Sequence, residues 1–181
     1  MKEIPVSTLK VFGTQSMLLN DVSRSILFSR EMNNFDSSVD KFVKSSLLKQ
    51  AVIVWNQVFG SRGEHCHWSQ FTSKQKVIEP FSRDSILVSL GITLDEWSKY
   101  HENMKRLRDK FLAHFDMDTE TDHFPNMDFA LAVVEAYREW LYRLFQEYQK
   151  AFPVRAGFLN TAEFNILIER EWEEKKQIVQ E

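Results

Sequence analysis

The sequence contains little of what disulfide-bonded, membrane-spanning or strand-rich proteins require. Its 181 residues include a single cysteine, Cys66, so an internal disulfide framework is excluded. Five glycines and four prolines are few for this length, which favours long uninterrupted elements over many strands and turns. No apolar run approaches the roughly 20 residues of a membrane span, and the N-terminal stretch lacks the apolar segment of a signal peptide. We therefore expect a cytoplasmic protein without a membrane segment.

The overall amino-acid composition is typical of one globular domain. Hydrophobic residues make up 43% of the chain and charged residues 27%. The formal net charge of −3 gives no overall attraction to nucleic acid, so RNA binding would need a local basic patch. We predict a single domain over 1–181, with a core at about 8–152 and a C-terminal helix at about 160–178.

Apolar residues recur at helical spacing in five to six segments, and no segment alternates convincingly as a strand. Gly60 and Gly91 each follow such a segment as C-terminal caps, and Thr93 with Glu96 forms the pattern of an N-terminal capping box. The sequence therefore predicts an all-α helical bundle. Its helices are expected at about 8–32, 38–59, 83–90, 94–115, 126–152 and 160–178.

The run HENMKRLRDKFLAHFD, residues 101–116, places a charged residue on the helix face expected to be buried. That face is an apolar arc of roughly 140°. Arg108 lies inside the arc, and His101 lies on the same side one heptad earlier. His114 lies just outside the arc, about 120° around the helix from Arg108. The residues of the arc are Leu94, Trp97, Tyr100, Met104, Leu107, Phe111, Leu112 and Phe115.

A buried guanidinium needs a partner, and two interpretations of Arg108 follow. In the first, it forms a structural salt bridge with an acidic residue on another helix. In the second, Arg108 and His114 flank a cleft that binds an anion, because arginine suits phosphate and histidine exchanges protons near neutral pH. Lys105, Arg106 and Lys110 add a small basic patch opposed only by Asp109.

The segment LRDKFLAHFD, residues 107–116, resembles the R-x4-6-H motif of the HEPN superfamily. VWNQVFGSRGEHCHW, residues 54–68, is more loosely similar to a segment of HEPN proteins of the abortive-infection type. The resemblance implies a HEPN-like helical domain that forms a homodimer in which two motif helices face each other. It further implies a metal-independent endoribonuclease acting as a toxin or phage-defence effector. In that reaction the 2′-OH of the RNA attacks and leaves a cyclic phosphate.

The resemblance also assigns roles to individual residues. His114 would transfer the proton, Arg108 would hold the scissile phosphate, and Asp109 would orient the pair or contact the ribose. Lys105, Arg106, Lys110 and His101 are the candidate RNA-binding residues. No metal ion or other cofactor is expected, because the RNA supplies the nucleophile.

One position departs from the pattern of some HEPN toxins. Those toxins carry a tyrosine two residues after the histidine, where a nucleotidyltransferase antitoxin modifies them, and here that position is Asp116. Silencing of that type is therefore not expected, although a separate antitoxin protein stays a candidate partner. Some members of the superfamily are inactive, so the alternative is a catalytically inactive RNA- or protein-binding module.

Other clusters of reactive residues are interpreted as structural. In EHCHW, residues 64–68, adjacent His, Cys and His side chains cannot all converge on one metal ion, so we favour loop packing with Trp68 as anchor. Cys66 has no sequence context that would make it a nucleophile. His101 is interpreted as a hydrogen-bonded core histidine that could also line the cleft, and His123 as a surface residue. The aromatic residues of the helix at 126–152 are assigned to packing.

Overall fold

The computed structural model describes residues 6–32, 37–112, 124–151 and 160–180, and all the regular secondary structure in these residues is helical, without strands. The predicted all-α bundle is confirmed. One short helix, α3, was not predicted, because five residues are too few to show a period. The helices are α1 (Val6–Glu31), α2 (Ser38–Phe59), α3 (Trp68–Thr72), α4 (Arg83–Leu90), α5 (Leu94–Arg106), α6 (Met127–Ala151) and α7 (Thr161–Gln180).

The helix ends follow the local signals in the sequence. Thr93 and Glu96 form the predicted capping box at the start of α5, where the Thr93 side chain accepts from the Glu96 N–H. Gly91 ends α4 in the left-handed conformation at φ +64°, which only glycine adopts without strain. Gly60 ends α2, and its N–H donates to the carbonyl of Asn56 at 3.0 Å. These boundaries agree with the prediction.

The core lies between α1, α2 and α6, with α4 and α5 packed against it. The apolar stretch AVIVW, Ala51 to Trp55, is helical as predicted and buries the Trp55 ring completely. On α6, Tyr137 and Trp140 are also buried, which confirms their assignment to packing. The Tyr137 hydroxyl donates to the side chain of Gln15 on α1 at 2.6 Å. No helix within the described residues is long and apolar enough to cross a bilayer.

A buried arginine on α6 contacts both α1 and α7. Arg138 is 2% exposed and donates to Asn20 and Ser23 of α1, the latter at 3.0 Å. Its guanidinium also lies 4.0 Å from the ring centroid of Phe164 on α7. Burial lowers the pKa of Arg138 to about 10, so the side chain stays charged at neutral pH. No sequence pattern indicates this site, because Arg138 stands in an ordinary amphipathic helix.

The sequence predicted one α-helix over about 94–115, which we call the motif helix because it contains Arg108 and His114. The structure shows that this segment is not α-helical over its whole described length. Its α-helical part ends at Arg106, and Leu107–Leu112 forms a π-helix. A π-helix shifts hydrogen bonding from i+4 to i+5, so a carbonyl at the junction loses its α-helical donor. The buried Asn56 amide donates to the Met104 carbonyl at 3.1 Å, close to this junction. The Met104 carbonyl also accepts from the Leu107 N–H, so Asn56 of α2 adds a second donor beside the point where the helix type changes.

The burial of the predicted apolar arc is confirmed in part. Trp97, Met104 and Leu107 are buried, and Tyr100 packs against the core. Leu94 is exposed, which contradicts the prediction, because it occupies the first position of α5 at the edge of the bundle. The other predicted arc positions lie where the structure does not describe the side chains.

Candidate functional site

The Arg108 side chain is largely shielded from solvent and lies between two carboxylates. It is 20% exposed, and its Nε donates to Asp109 Oδ1 at 2.6 Å. Its Nη1 lies 3.6 Å from Glu64 Oε1, on the loop that joins α2 to α3. Arg108 therefore has an acidic partner within its own chain, as the salt-bridge interpretation requires. That partner comes from a loop and not from another helix.

The predicted catalytic histidine, His114, lies outside the described residues, as does His123. The backbone of Lys110 belongs to the π-helix, but its side chain is also outside the described part. The expected offset of about 120° between Arg108 and His114 assumed α-helical geometry. Residues 107–112 are π-helical, so the α-helical assumption behind that angle does not apply to this segment. The described site therefore consists of Arg108, Asp109 and their neighbours.

Three of the four predicted RNA-binding residues line one shallow concavity, which we call the α5 groove. It has a volume of about 410 Å³ and is open to solvent. Two carboxylates line it together with the two cations, so its formal charge is balanced when the histidine is neutral. The lining residues are His101, Glu102, Lys105, Arg106 and Asp109. Asp109 thus connects this groove to Arg108.

His101 is a hydrogen-bonded core histidine, as predicted. Its Nε2 lies 2.7 Å from the carbonyl of Phe59 and 3.1 Å from that of Gly60, so Nε2–H donates to the end of α2. Its ring contacts Trp55 and Trp97, with centroids 6.1 and 5.5 Å away. Burial lowers the pKa of His101 below the ordinary value and outweighs the hydrogen bonds to these carbonyls, which raise it, so His101 is neutral at pH 7. His101 also lines the α5 groove.

The EHCHW segment packs against the core, with Trp68 in edge contact with Phe81 at 5.6 Å between centroids. His67 is buried and caps α3, because its Nδ1 accepts from the Ser69 N–H at 3.2 Å and lies 2.7 Å from Ser69 Oγ. Burial lowers the pKa of His67 to about 4, and the charge of Arg62, together with that of His101 when it is protonated, acts in the same direction. The anchoring role predicted for this segment is confirmed.

Within the described residues, no three histidine, cysteine or acidic side chains lie close enough to hold a metal ion. Cys66 is half-buried, and its carbonyl accepts from the Gln15 side chain at 3.0 Å. Its backbone therefore ties the loop to α1.

Comparisons with protein-family models, with curated proteins and with solved structures find no significant match.

Proposed function

We propose that the protein is a metal-independent endoribonuclease of HEPN type that acts as a toxin or phage-defence effector. The observation that best supports this proposal is the position of Arg108 and Asp109. The two residues stand together on a π-helical segment beside a groove lined by Lys105 and Arg106. π-Helical segments occur frequently at functional sites, because they change the direction of side chains within a helix.

In the proposed reaction, Arg108 holds the scissile phosphate. Asp109 already orients the guanidinium through its Nε, which leaves the Nη groups to face an anion. The Glu64 carboxylate near Nη1 occupies a position that a phosphate oxygen could take. At 3.6 Å that contact is longer than a hydrogen bond, so an incoming phosphate can displace it. His114 accepts the proton of the RNA 2′-OH, and the 2′-oxygen attacks phosphorus to form the cyclic phosphate. The P–O5′ bond breaks in this step, and the 5′-oxygen leaves as a hydroxyl after taking up a proton from water.

A homodimer would bring two copies of the motif together. The exposed side of α2 offers a surface for a second copy, because four apolar residues lie there within an arc of about 100°. Phe42 is the most exposed of them at 72%. We call this surface the α2 stripe, and it consists of Val39, Phe42, Val43 and Ile53. An isologous dimer through this stripe would bury these side chains.

A cleavage assay on single-stranded RNA tests the proposal. His114→Ala should abolish cleavage, and a chelator such as EDTA should leave the rate of the unaltered protein unchanged. His65→Ala is the matched control, because His65 is exposed and lies in the α2–α3 loop. The product should carry a 2′,3′-cyclic phosphate. Cleavage by His114→Ala at the rate of the unaltered protein would refute the proposal.

The contact between Arg108 and Glu64 favours a second candidate function. An arginine paired within its own chain fits a catalytically inactive HEPN-like module that binds RNA or a protein. This module would bind RNA through the α5 groove and would cleave none. An antitoxin protein is a candidate partner of the enzyme but is not required by the module.

Salt dependence of RNA binding tests the role of the groove under either function. Replacing Lys105 and Arg106 by glutamine should weaken binding to all sequences alike. A plot of the logarithm of the RNA binding constant against the logarithm of the salt concentration should also become less steep. Its slope should fall by about 0.7 for each single-strand phosphate that is no longer neutralised. Lys76→Gln with Arg143→Gln removes the same charge from exposed positions outside the groove. Equal slopes for the two double variants would exclude the groove as the RNA site.

A further inference from the structure

A large cavity lies beside α5 and takes no part in the proposed cleavage. Its volume is about 610 Å³, within the range of roughly 300–1,000 Å³ that small-molecule sites occupy. It opens to solvent and lies between the α2–α3 loop, α3, the segment leading into α4, and α5. We call it the α3–α5 cavity. His101 lines both this cavity and the α5 groove, so the two are adjacent.

Part of the cavity wall consists of aromatic rings held in place by the core. Trp97 is 6% exposed, and Phe81 is buried and packs against Trp140 and Tyr137. Trp68 completes this wall in edge contact with Phe81. Rings fixed by packing present a preformed apolar surface at little cost in side-chain entropy. Such a surface suits a planar ring in a ligand.

The rim of the cavity is positively charged. Arg62 and Arg83 both line it, both are exposed, and neither forms an ion pair with another residue of the described ranges. Asp84 is the one carboxylate among the lining residues, so the local formal charge is +1 with the histidines neutral. Free guanidinium groups at a concave rim are suited to phosphate oxygens.

The pKa values of the two histidines that line the cavity, His67 and His101, are influenced by this charge. Arg62 contributes to the lowered pKa of His67, and Arg83 to that of His101, in each case after burial as the largest cause. A bound anion would offset the field of the arginines and raise the pKa of both imidazoles. Binding of an anion in the cavity should therefore be accompanied by easier protonation of the histidines.

We propose that the α3–α5 cavity binds a nucleotide, with its base against the aromatic wall and its phosphate at Arg62 and Arg83. The nucleotide is either a free mononucleotide or one unit of an RNA strand, since both carry the same base and phosphate chemistry. This site does not depend on the proposed cleavage, because it involves neither Arg108 nor His114.

Isothermal titration of the full chain tests the site with four probes: adenosine 5′-monophosphate, adenosine, inorganic phosphate, and a short 5′-phosphorylated RNA. The monophosphate should bind with one site per chain, and at least tenfold more tightly than adenosine or phosphate. Arg62→Gln with Arg83→Gln should weaken that binding at least tenfold, while Arg143→Gln, an exposed arginine on α6, should leave it unchanged. If only the RNA probe binds, and does so through Arg62 and Arg83, the nucleotide belongs to a strand.

A blocking variant provides a second measurement that does not depend on charge. Ser98 is exposed and lines the cavity, so Ser98→Trp fills it without changing the core. This variant should lose binding of the monophosphate or the RNA probe while its circular dichroism spectrum and melting temperature stay the same. The proposal is overturned if no probe binds at millimolar concentration, or if both the double arginine variant and Ser98→Trp bind as the unaltered protein does.

Discussion

Arg108 Nη1 lies 3.6 Å from Glu64 Oε1, a contact that joins the π-helical segment to the loop between α2 and α3. The arginine side chain is 20% exposed, whereas the carboxylate is 44% exposed. Solvent therefore reaches the pair mainly from the side of Glu64. The pair can be interpreted as a permanent structural bond, or as a contact that a phosphate replaces.

Glu64→Gln separates these two interpretations. If a phosphate replaces Glu64 at Arg108, the variant should bind RNA at least as tightly as the unaltered protein, because the competing charge is gone. Its free energy of unfolding should fall by no more than about 1 kcal/mol, since partly exposed ion pairs contribute little. Binding is measured by fluorescence anisotropy and stability by denaturant titration. Glu79→Gln, at an exposed position outside the site, is the control.

A loss of RNA binding by Glu64→Gln, with the fold intact, would show that Glu64 positions Arg108 instead of competing with phosphate. That result would favour the structural interpretation of the pair.

Asn56→Ala should destabilise the protein by about 1–3 kcal/mol. The substitution removes the buried amide that donates to Met104, and it leaves that carbonyl without this donor near the start of the π-helix. Asn103→Ala changes the same residue type at an exposed position of α5 and should have a small effect. Denaturant unfolding measures both free energies. Equal stabilities of the two variants would mean that Asn56 does not stabilise the junction.

Acid should destabilise the fold through His67. Its pKa is lowered from the ordinary 6.5 to about 4 in the folded state, so the folded protein binds fewer protons than the unfolded chain. The stability contributed by neutral His67 is therefore complete above pH 6.5 and is lost as the pH falls toward 4. The loss between pH 7 and pH 4 should be on the order of 3 kcal/mol, from about 1.4 kcal/mol per unit of pKa. Measuring the free energy of unfolding at several pH values between 7 and 4 gives its slope against pH, which we call the pH slope.

His67→Asn isolates this contribution, because asparagine is a good N-cap residue and can still accept from the Ser69 N–H. The variant should lose most of the pH slope and keep the part due to His101, whose pKa is lowered in the same direction. His65→Asn, at the exposed histidine of the same loop, should keep the full slope. If the unfolding free energy of His67→Asn depends on pH as steeply as that of the unaltered protein, the pH dependence does not come from His67.

Phe42→Glu should convert the proposed dimer to a monomer. A charge in the middle of the α2 stripe would have to be desolvated in an interface, whereas on a monomer it stays in water. Val88→Glu is the control, since Val88 is 83% exposed on α4 and lies outside the stripe. Sedimentation velocity should show the change in mass for Phe42→Glu alone. A dimer that persists in Phe42→Glu would exclude the stripe as the interface.

The helices could be predicted because their signals are local. Capping residues such as Thr93 and Glu96 act within one turn, and Gly91 ends α4 through its own backbone conformation. The recurrence of apolar residues at helical spacing then distinguishes the buried face of each helix from its exposed face. Where the signal was weak the prediction failed, as for α3 with its five residues and for Leu94 at a helix end.

The site was predicted only in part, because its contacts join distant segments. The grouping of His101, Lys105, Arg106 and Asp109 follows from helical spacing along one element and could be expected. The partner of Arg108 could not, because Glu64 lies 44 positions earlier in an irregular loop.

The sequence by itself determined the helical class, most helix boundaries and the burial of the core aromatics, since each depends on residues within a few turns of one another. Only the tertiary structure decided where the motif helix changes to a π-helix and which groups surround its charged residues. The donor from Asn56, the carboxylate of Glu64 and the wall formed by Trp97 and Phe81 come from different elements. Local patterns carry no information on such contacts, because they depend on how the helices pack.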